Sequence, residues 1–301
     1  MKLFKKTLAG VALAAVLATS AQAGVMAIAD MEVRGLGFAS SGLSTLTISN
    51  ELRSGNASAT YNGVPQAATG SGSNAVTVDV PAQCVGNCAS AATLYAGGLN
   101  NSSTHIGLSP LYNYALGDML IQGSVIGGGI RGLTRADAVS DGPNNTGSAN
   151  ATILNTGSVS GTFTTGTTFT SALVLAVDAF LRAWVSPTNP PGDTAIAGAG
   201  YGWNMTITGA DIADLFFRPA DLNRTATAVT PGTDDFFSTG GVANYFSESR
   251  TYTADTLYSF SINQSSNAQI SEIQQIPEPG SLALLGLGLL ALAVSRRRKL
   301  L

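Results

Sequence analysis

Lysine is nearly missing from this chain, and its four copies (Lys2, Lys5, Lys6 and Lys299) sit at the two extremes. Residues 24–276 hold none, which removes Schiff-base chemistry and lysine isopeptide crosslinks from that stretch. Histidine occurs once, as His105 in a polar run, and no G-x-S-x-G elbow accompanies it, so a Ser-His-Asp centre has no frame. Cysteine occurs twice, at Cys84 and Cys88. In an exported chain such a C-x3-C pair defaults to a disulfide closing a tiny loop. Free thiols and a metal pair are the alternatives, and a metal would need two further ligands. Charged residues are scarce at 11% and unevenly placed. Residues 24–276 keep eight arginines against seventeen acids, a formal charge of −9. That is the wrong sign for nucleic-acid phosphates or anionic lipid headgroups.

Binding motifs are equally sparse. Gly35-Leu36-Gly37 and Gly127-Gly128-Gly129 lack the spacing of phosphate loops. Asp137, Asp141, Asn144 and Asn145, and separately Asp234 and Asp235, make oxygen-rich stretches without EF-hand spacing. Turn-forming Asx residues explain them more simply than calcium, and no metal or cofactor is expected. A carboxylate pair for glycoside hydrolysis is unreadable from scattered acids.

What remains in abundance is Gly, Ala, Ser, Thr and Asn. Short runs with period-2 alternation predict strands over Leu43–Asn50, Ala75–Val80 (stopping at Pro81), Met119–Ile126, Thr152–Asn155, Val159–Phe163, Asn204–Thr208 and Leu257–Asn263. Turn-rich clusters at Gly70–Asn74, Asp141–Asn150 and Ser186–Asp193 separate them. Ser171–Val185 is ambiguous. Asp178 and Arg182 sit at i and i+4 as on a helix, while the branched and bulky residues favour a long strand, bent near Asp178. Asp211–Leu215 reads as a short helix. The fold class is all-β, a single sandwich or jelly-roll-like ectodomain over 24–272. No internal repeat is visible, and the turn cluster at 141–150 is the only candidate divide.

The two ends carry targeting signals. Lys2, Lys5 and Lys6, the apolar run Leu8–Ala18 and the small-x-small triplet Ala21-Gln22-Ala23 form a secretory signal peptide over 1–23, cut before Gly24. At the other end, 273–301, the rigid Pro277-Glu278-Pro279 element precedes an apolar helix over 281–295 and a basic stop, Arg296, Arg297, Arg298 and Lys299. The apolar run of about 14 residues is short for a bilayer core, which asks for about 20. The arginines hold the C-terminus in the cytoplasm. A permanent anchor or a buried core helix would be the bland alternatives. The order of rigid motif, apolar span and basic stop resembles the PEP-CTERM sorting signal of Gram-negative bacteria. The resemblance implies recognition by an exosortase, a membrane-anchored precursor at the inner membrane, processing near Pro277–Pro279 and delivery to the cell surface or extracellular matrix. It also implies an exopolysaccharide-rich setting.

Two function classes follow. The first is a non-enzymatic surface or matrix protein. The second is a carbohydrate-binding module, with Tyr112 and Tyr114, or Tyr201 and Trp203, as two-apart aromatic pairs for sugar stacking. A secreted hydrolase ranks third. Eight N-x-S/T sequons (Asn56, Asn100, Asn101, Asn144, Asn150, Asn204, Asn223, Asn263) offer glycan acceptors, at a density that a Ser/Thr/Asn-rich composition produces by chance.

Overall fold

The computed structural model describes residues 24–40, 46–74, 77–88, 113–123, 129–141, 146–153, 159–187 and 194–273. In chain order the strands begin with β1 (Val25–Phe38), β2 (Leu46–Tyr61), β3 (Val64–Ser73), β4 (Val78–Gly86), β5 (Tyr114–Gln122) and β6 (Arg131–Ser140). Next come β7 (Thr146–Ile153), β8 (Val159–Thr165), β9 (Phe169–Ser171), β10 (Leu173–Val185), β11 (Thr194–Gly209) and β12 (Ile212–Phe217). After a 3-10 turn at Ala220–Leu222 follow β13 (Asn223–Ala228), β14 (Asp234–Ser238), β15 (Ala243–Phe246), β16 (Arg250–Tyr252) and β17 (Tyr258–Ile273).

One sheet orders β14-β10-β1-β6-β5-β4, with β15 also on β10. The other orders β12-β11-β17-β7-β2-β3, with β13 also on β11 and β8 bridging β17 and β2. The two lie face to face in matching order. β10 packs on β11, β1 on β17, β6 on β17 and β7, β5 on β7 and β2, and β4 on β2 and β3. The chain is therefore an all-β sandwich. β7 lies in the middle of its sheet.

Alternation builds the layers. Along β10, Leu173, Leu175, Val177, Ala179, Leu181, Ala183 and Val185 are all buried, and every residue between them is half-buried. This settles the ambiguous segment as a strand. Residues i and i+4 share a face in strands as well as helices, so Asp178 and Arg182 could not discriminate. The irregularity lies on the partner strand, where the register slips between Val33 and Gly35 of β1. Asp211–Leu215 is corrected from helix to turn and strand. Leu215 and Phe217 point inward while Phe216 is exposed, and β12 pairs with Met205–Gly209 of β11. β4 continues past Pro81 to Gly86 because it is an edge strand with a register shift between Val80 and Gln83, where a missing N–H costs no ladder bond. Likewise β7 starts inside the supposed turn cluster, held by ladders on both sides.

At one pole the gap between the sheets is plugged by Phe38, Phe163, Phe169, Tyr252 and Tyr258, with ring centroids 4.9–6.0 Å apart. In the middle a polar seam crosses the core. Gln264 Nε2 on β17 donates to the carbonyls of Met31 (2.8 Å) and Gly132 (3.3 Å) and to Thr134 Oγ1 (3.1 Å). Ser266 Oγ donates to the Thr134 carbonyl at 3.0 Å. Replacing Gln264 with Leu removes a buried donor and leaves its acceptors facing hydrocarbon. Gln264→Leu is expected to lower the unfolding free energy by about 1–3 kcal/mol, read by chemical denaturation.

Candidate functional site

The strands place both ends of the described fold at one pole. Val25 at the start of β1 stands opposite Ser140 and Val185. Ile273 at the end of β17 stands opposite Thr194. Ser140 Oγ donates to the buried Glu272 Oε2 at 3.2 Å, which joins the start of the fold to its end. Gly24 is buried at this pole, its carbonyl accepting from the Ser186 N–H at 2.8 Å. The other signal-peptide residues, Ala21 and Ala23, and the tail residues Pro277, Glu278, Pro279, Arg296, Arg297, Arg298 and Lys299 lie outside the described residues. No helix among the described residues is long and apolar enough to cross a membrane.

Residues 275–299, two positions beyond the last ladder pair of β17, match the family described as the PEP-CTERM protein-sorting motif. The chain therefore carries a PEP-CTERM protein-sorting motif. The motif makes it an exported protein, sorted in an exosortase-dependent way and held transiently at the membrane. No curated protein and no solved structure matches the chain.

The aromatic pairs are corrected. Tyr114, Tyr201 and Trp203 are buried in the fold, and Tyr112 lies outside the described residues. Trp203 meets Phe217 edge-on at 5.4 Å, and Tyr201 Oη donates to the Asp221 carbonyl at 3.2 Å. On β11 these rings alternate with Gly198, Gly200 and Gly202. A Cβ at those glycines would come within 3.2–3.3 Å of Gln269, Asn267 and Ser265, so amide and hydroxyl side chains lie over the outward backbone and the bulk goes inside. Among the described residues the exposed rings are Phe216, Phe236 and Phe246. Phe216, Tyr245 and Phe246, with Arg218, Asp221 and Glu248, line an open cleft of about 370 Å³. Reading Asp211–Leu215 as a helix left the adjoining Phe216 without an assigned face, which hid this cleft from the sequence.

The oxygen-rich stretches are committed elsewhere. Asp137 lies on β6, paired with Arg135, and Asp141 accepts from Asn113 Nδ2. Asp234 receives Arg182 at 2.8 and 2.9 Å, and Asp235 accepts from the Thr227 N–H at 3.0 Å. Asn144 and Asn145 lie outside the described residues. No group of three or more potential metal ligands occurs among the described residues. Cys84 and Cys88 are bonded to each other with Cα atoms 5.9 Å apart, and Cys84 packs beside the small cluster of Met26, Ile28, Tyr114, Leu116 and Val139.

Sequons Asn56, Asn204, Asn223 and Asn263 fall at half-buried outward positions of alternating strands, and Asn150 holds the register position beside Asn267. Their hydroxyl partners two residues on share the same face. Polar-out alternation thus writes N-x-S/T by itself. Asn263 Nδ2 donates to Asn204 Oδ1 at 2.9 Å, and Asn223 Nδ2 donates to the carbonyls of Trp203 and Pro219, both at 2.9 Å. Asn100, Asn101 and Asn144 lie outside the described residues.

The structure also exposes a feature the sequence reading missed. On the far side of the first sheet, Arg135 of β6 stands in register between Asp30 of β1 and Asp118 of β5. Its Nε donates to Asp137 Oδ2 at 3.0 Å, and Tyr114 Oη reaches the same oxygen at 3.4 Å. Arg135, Asp118 and Asp137 are fully buried and Asp30 nearly so. Burial pushes the Asp118 carboxyl up to about 7, against the pull of Arg135 and of the Met119 N–H, with Asp79 and Asp30 adding to the rise. The row can therefore hold a proton near neutrality. The available signal was acids inside a continuous apolar run, as in Val25–Val33, which marks a strand covered on both faces.

An acid with its pKa raised on folding binds more protons in the native state between about pH 4 and about pH 7. Stability therefore falls as pH rises through that window and levels off above it. Asp118→Asn is expected to flatten the decline and to raise Tm at about pH 8, measured by thermal unfolding across the range.

Proposed function

We propose that this protein is a non-enzymatic component of the cell surface or extracellular matrix, released to that site through its PEP-CTERM tail by an exosortase. The observation that carries the reading is the direct passage from the central strand β17 at Ile273 into the sorting motif at 275. The sandwich is thereby held by one pole, and its outward face projects a field of uncharged side chains. Ser259, Ser261, Asn263, Ser265, Asn267, Gln269 and Ser271 form the outward side of β17. The absence of lysine from residues 24–276 and the single histidine support a structural role, as does the use of Arg135, Asp137, Asp141 and Asp234 in the fold's own hydrogen bonds.

A second reading, a carbohydrate-binding module for matrix exopolysaccharide, rests on one observation. The cleft around Phe216, Tyr245 and Phe246 pairs exposed rings, suited to the C–H face of a pyranose, with Asp221, Glu248 and Arg218 for hydroxyls.

Intact mass of the protein from its producing cells tests the leading reading. The expected mature chain starts at Gly24 and ends near residue 276, while the Pro277→Ala/Glu278→Ala/Pro279→Ala variant stays in the membrane at greater mass. A wild-type chain that still ends at Leu301 would make it a permanently anchored envelope protein. Titration of the ectodomain with the host's exopolysaccharide is expected to show no binding that depends on the cleft. Saturable binding weakened about tenfold by Phe216→Ala/Phe246→Ala would move the assignment to the second reading.

A further inference from the structure

Four strand edges border the sandwich, and three are blunted. β4 carries Pro81, a register shift and the exposed Asp79. On β10 the edge is split into β14, with Asp234 and Asp235, and β15, divided by Gly240 and Gly241 at positive φ. On β11 the edge is split into β12 and β13 around the 3-10 turn. The fourth, β3, differs in every respect. It is ten residues long, Val-Pro-Gln-Ala-Ala-Thr-Gly-Ser-Gly-Ser, without a charged side chain, and its one proline, Pro65, stands next to its first residue. Among the described residues β3 pairs only with β2, and seven of its ten residues are exposed. An unpaired edge of this kind presents a row of N–H and C=O groups ready for another strand.

We propose that β3 is a self-association edge, pairing antiparallel with β3 of a second copy to continue the sheet across the two molecules. Charge selects the occupant. Residues 24–276 carry a formal charge of −9, so identical chains repel except across a neutral strip. Such a strip exists here, because the outward residues of β2 beside β3 (Ser54, Asn56, Ser58 and Thr60) are also uncharged. A two-fold axis perpendicular to the sheet keeps outward residues opposite outward residues. Centred on Thr69, it sets that threonine against its own copy and Ala67 against Ser71, small residues that do not clash. Pairing by one strand edge buries less than the ~1,200 Å² of a stable interface, so it is weak in dilute solution. Holding every copy transiently at one membrane by its sorting tail, before processing, raises the effective concentration, where weak edges add up. The edge itself does not depend on the non-enzymatic reading.

The test uses the full chain in exporting cells. Its own cysteines are joined to each other, so one introduced cysteine is the only free thiol among the described residues. Thr69→Cys is expected to give a disulfide-linked homodimer on mild oxidation, and Val242→Cys, exposed on the β14–β15 connection, is expected to give none. Adding Ala67→Lys and Ser71→Lys, which would face each other across the axis, is expected to cut the dimer about tenfold. Secretion at wild-type level shows that the variants fold. Absence of the Thr69→Cys dimer, equal crosslinking from Val242→Cys, indifference to the lysine pair, or capture of a different protein would each overturn the proposal.

Discussion

Apolar contact holds two sheets together but does not fix how they sit, because dispersion and hydrophobic burial have little direction. Here direction comes from the seam at Gln264, Ser266 and Thr134. These groups hydrogen-bond from β17 to β1 and β6 across an otherwise hydrocarbon core. A slide of either sheet by one residue would turn each of these groups toward carbon and cost far more than the small loss in packing. Everything else follows that register. The aromatic plug lands at one pole, the Ser140–Glu272 contact at the other, and Arg135 comes between two aspartates on the far side of the first sheet.

Legibility in the sequence followed the range of the interactions. Leu257–Asn263 announced a strand because one-sided burial leaves its period in the chain, whereas Ser171–Val185 stayed ambiguous because its half-buried positions are mostly apolar too. Val25–Val33 announced none, since two-sided burial erases the alternation and leaves an apolar run that fits helix or strand equally. Asn62-Gly63, both at positive φ, makes the β2–β3 hairpin and is the kind of local signal that a sequence does carry. The sorting tail was readable because its partner reads it as a linear order of parts. The aromatic pairs misled because period 2 says which residues share a face and not which face meets water. The glycines alternating with Tyr201 and Trp203 held that answer. The charge row lay beyond reach, as it joins Asp30, Asp118 and Arg135 from three separated strands.

The charged groups divide by depth. Those at the surface, such as Arg182 with Asp234, are ordinary exposed pairs worth little to stability. Those inside are few but consequential. Arg53, fully buried, donates to Glu51 and to the Gly123 carbonyl, and Glu32 receives both Arg34 and Arg131. Each arginine of this kind ties a loop or a neighbouring strand to the sheet, which compensates for a chain rich in residues too small to interdigitate deeply.

β17 is the last strand among the described residues and also an interior strand of its sheet, with β11 on one side and β7 and β8 on the other. During export, the residues that close the sheet are therefore the last to cross before the sorting tail enters the bilayer. Until then β2, β3, β7 and β8 form one fragment and β11, β12 and β13 another, each with an open edge. Completion of the fold and arrival of the tail become a single event. A chain stalled or cut before Tyr258 lacks its keystone strand and cannot hide those edges from the proteases and chaperones around it.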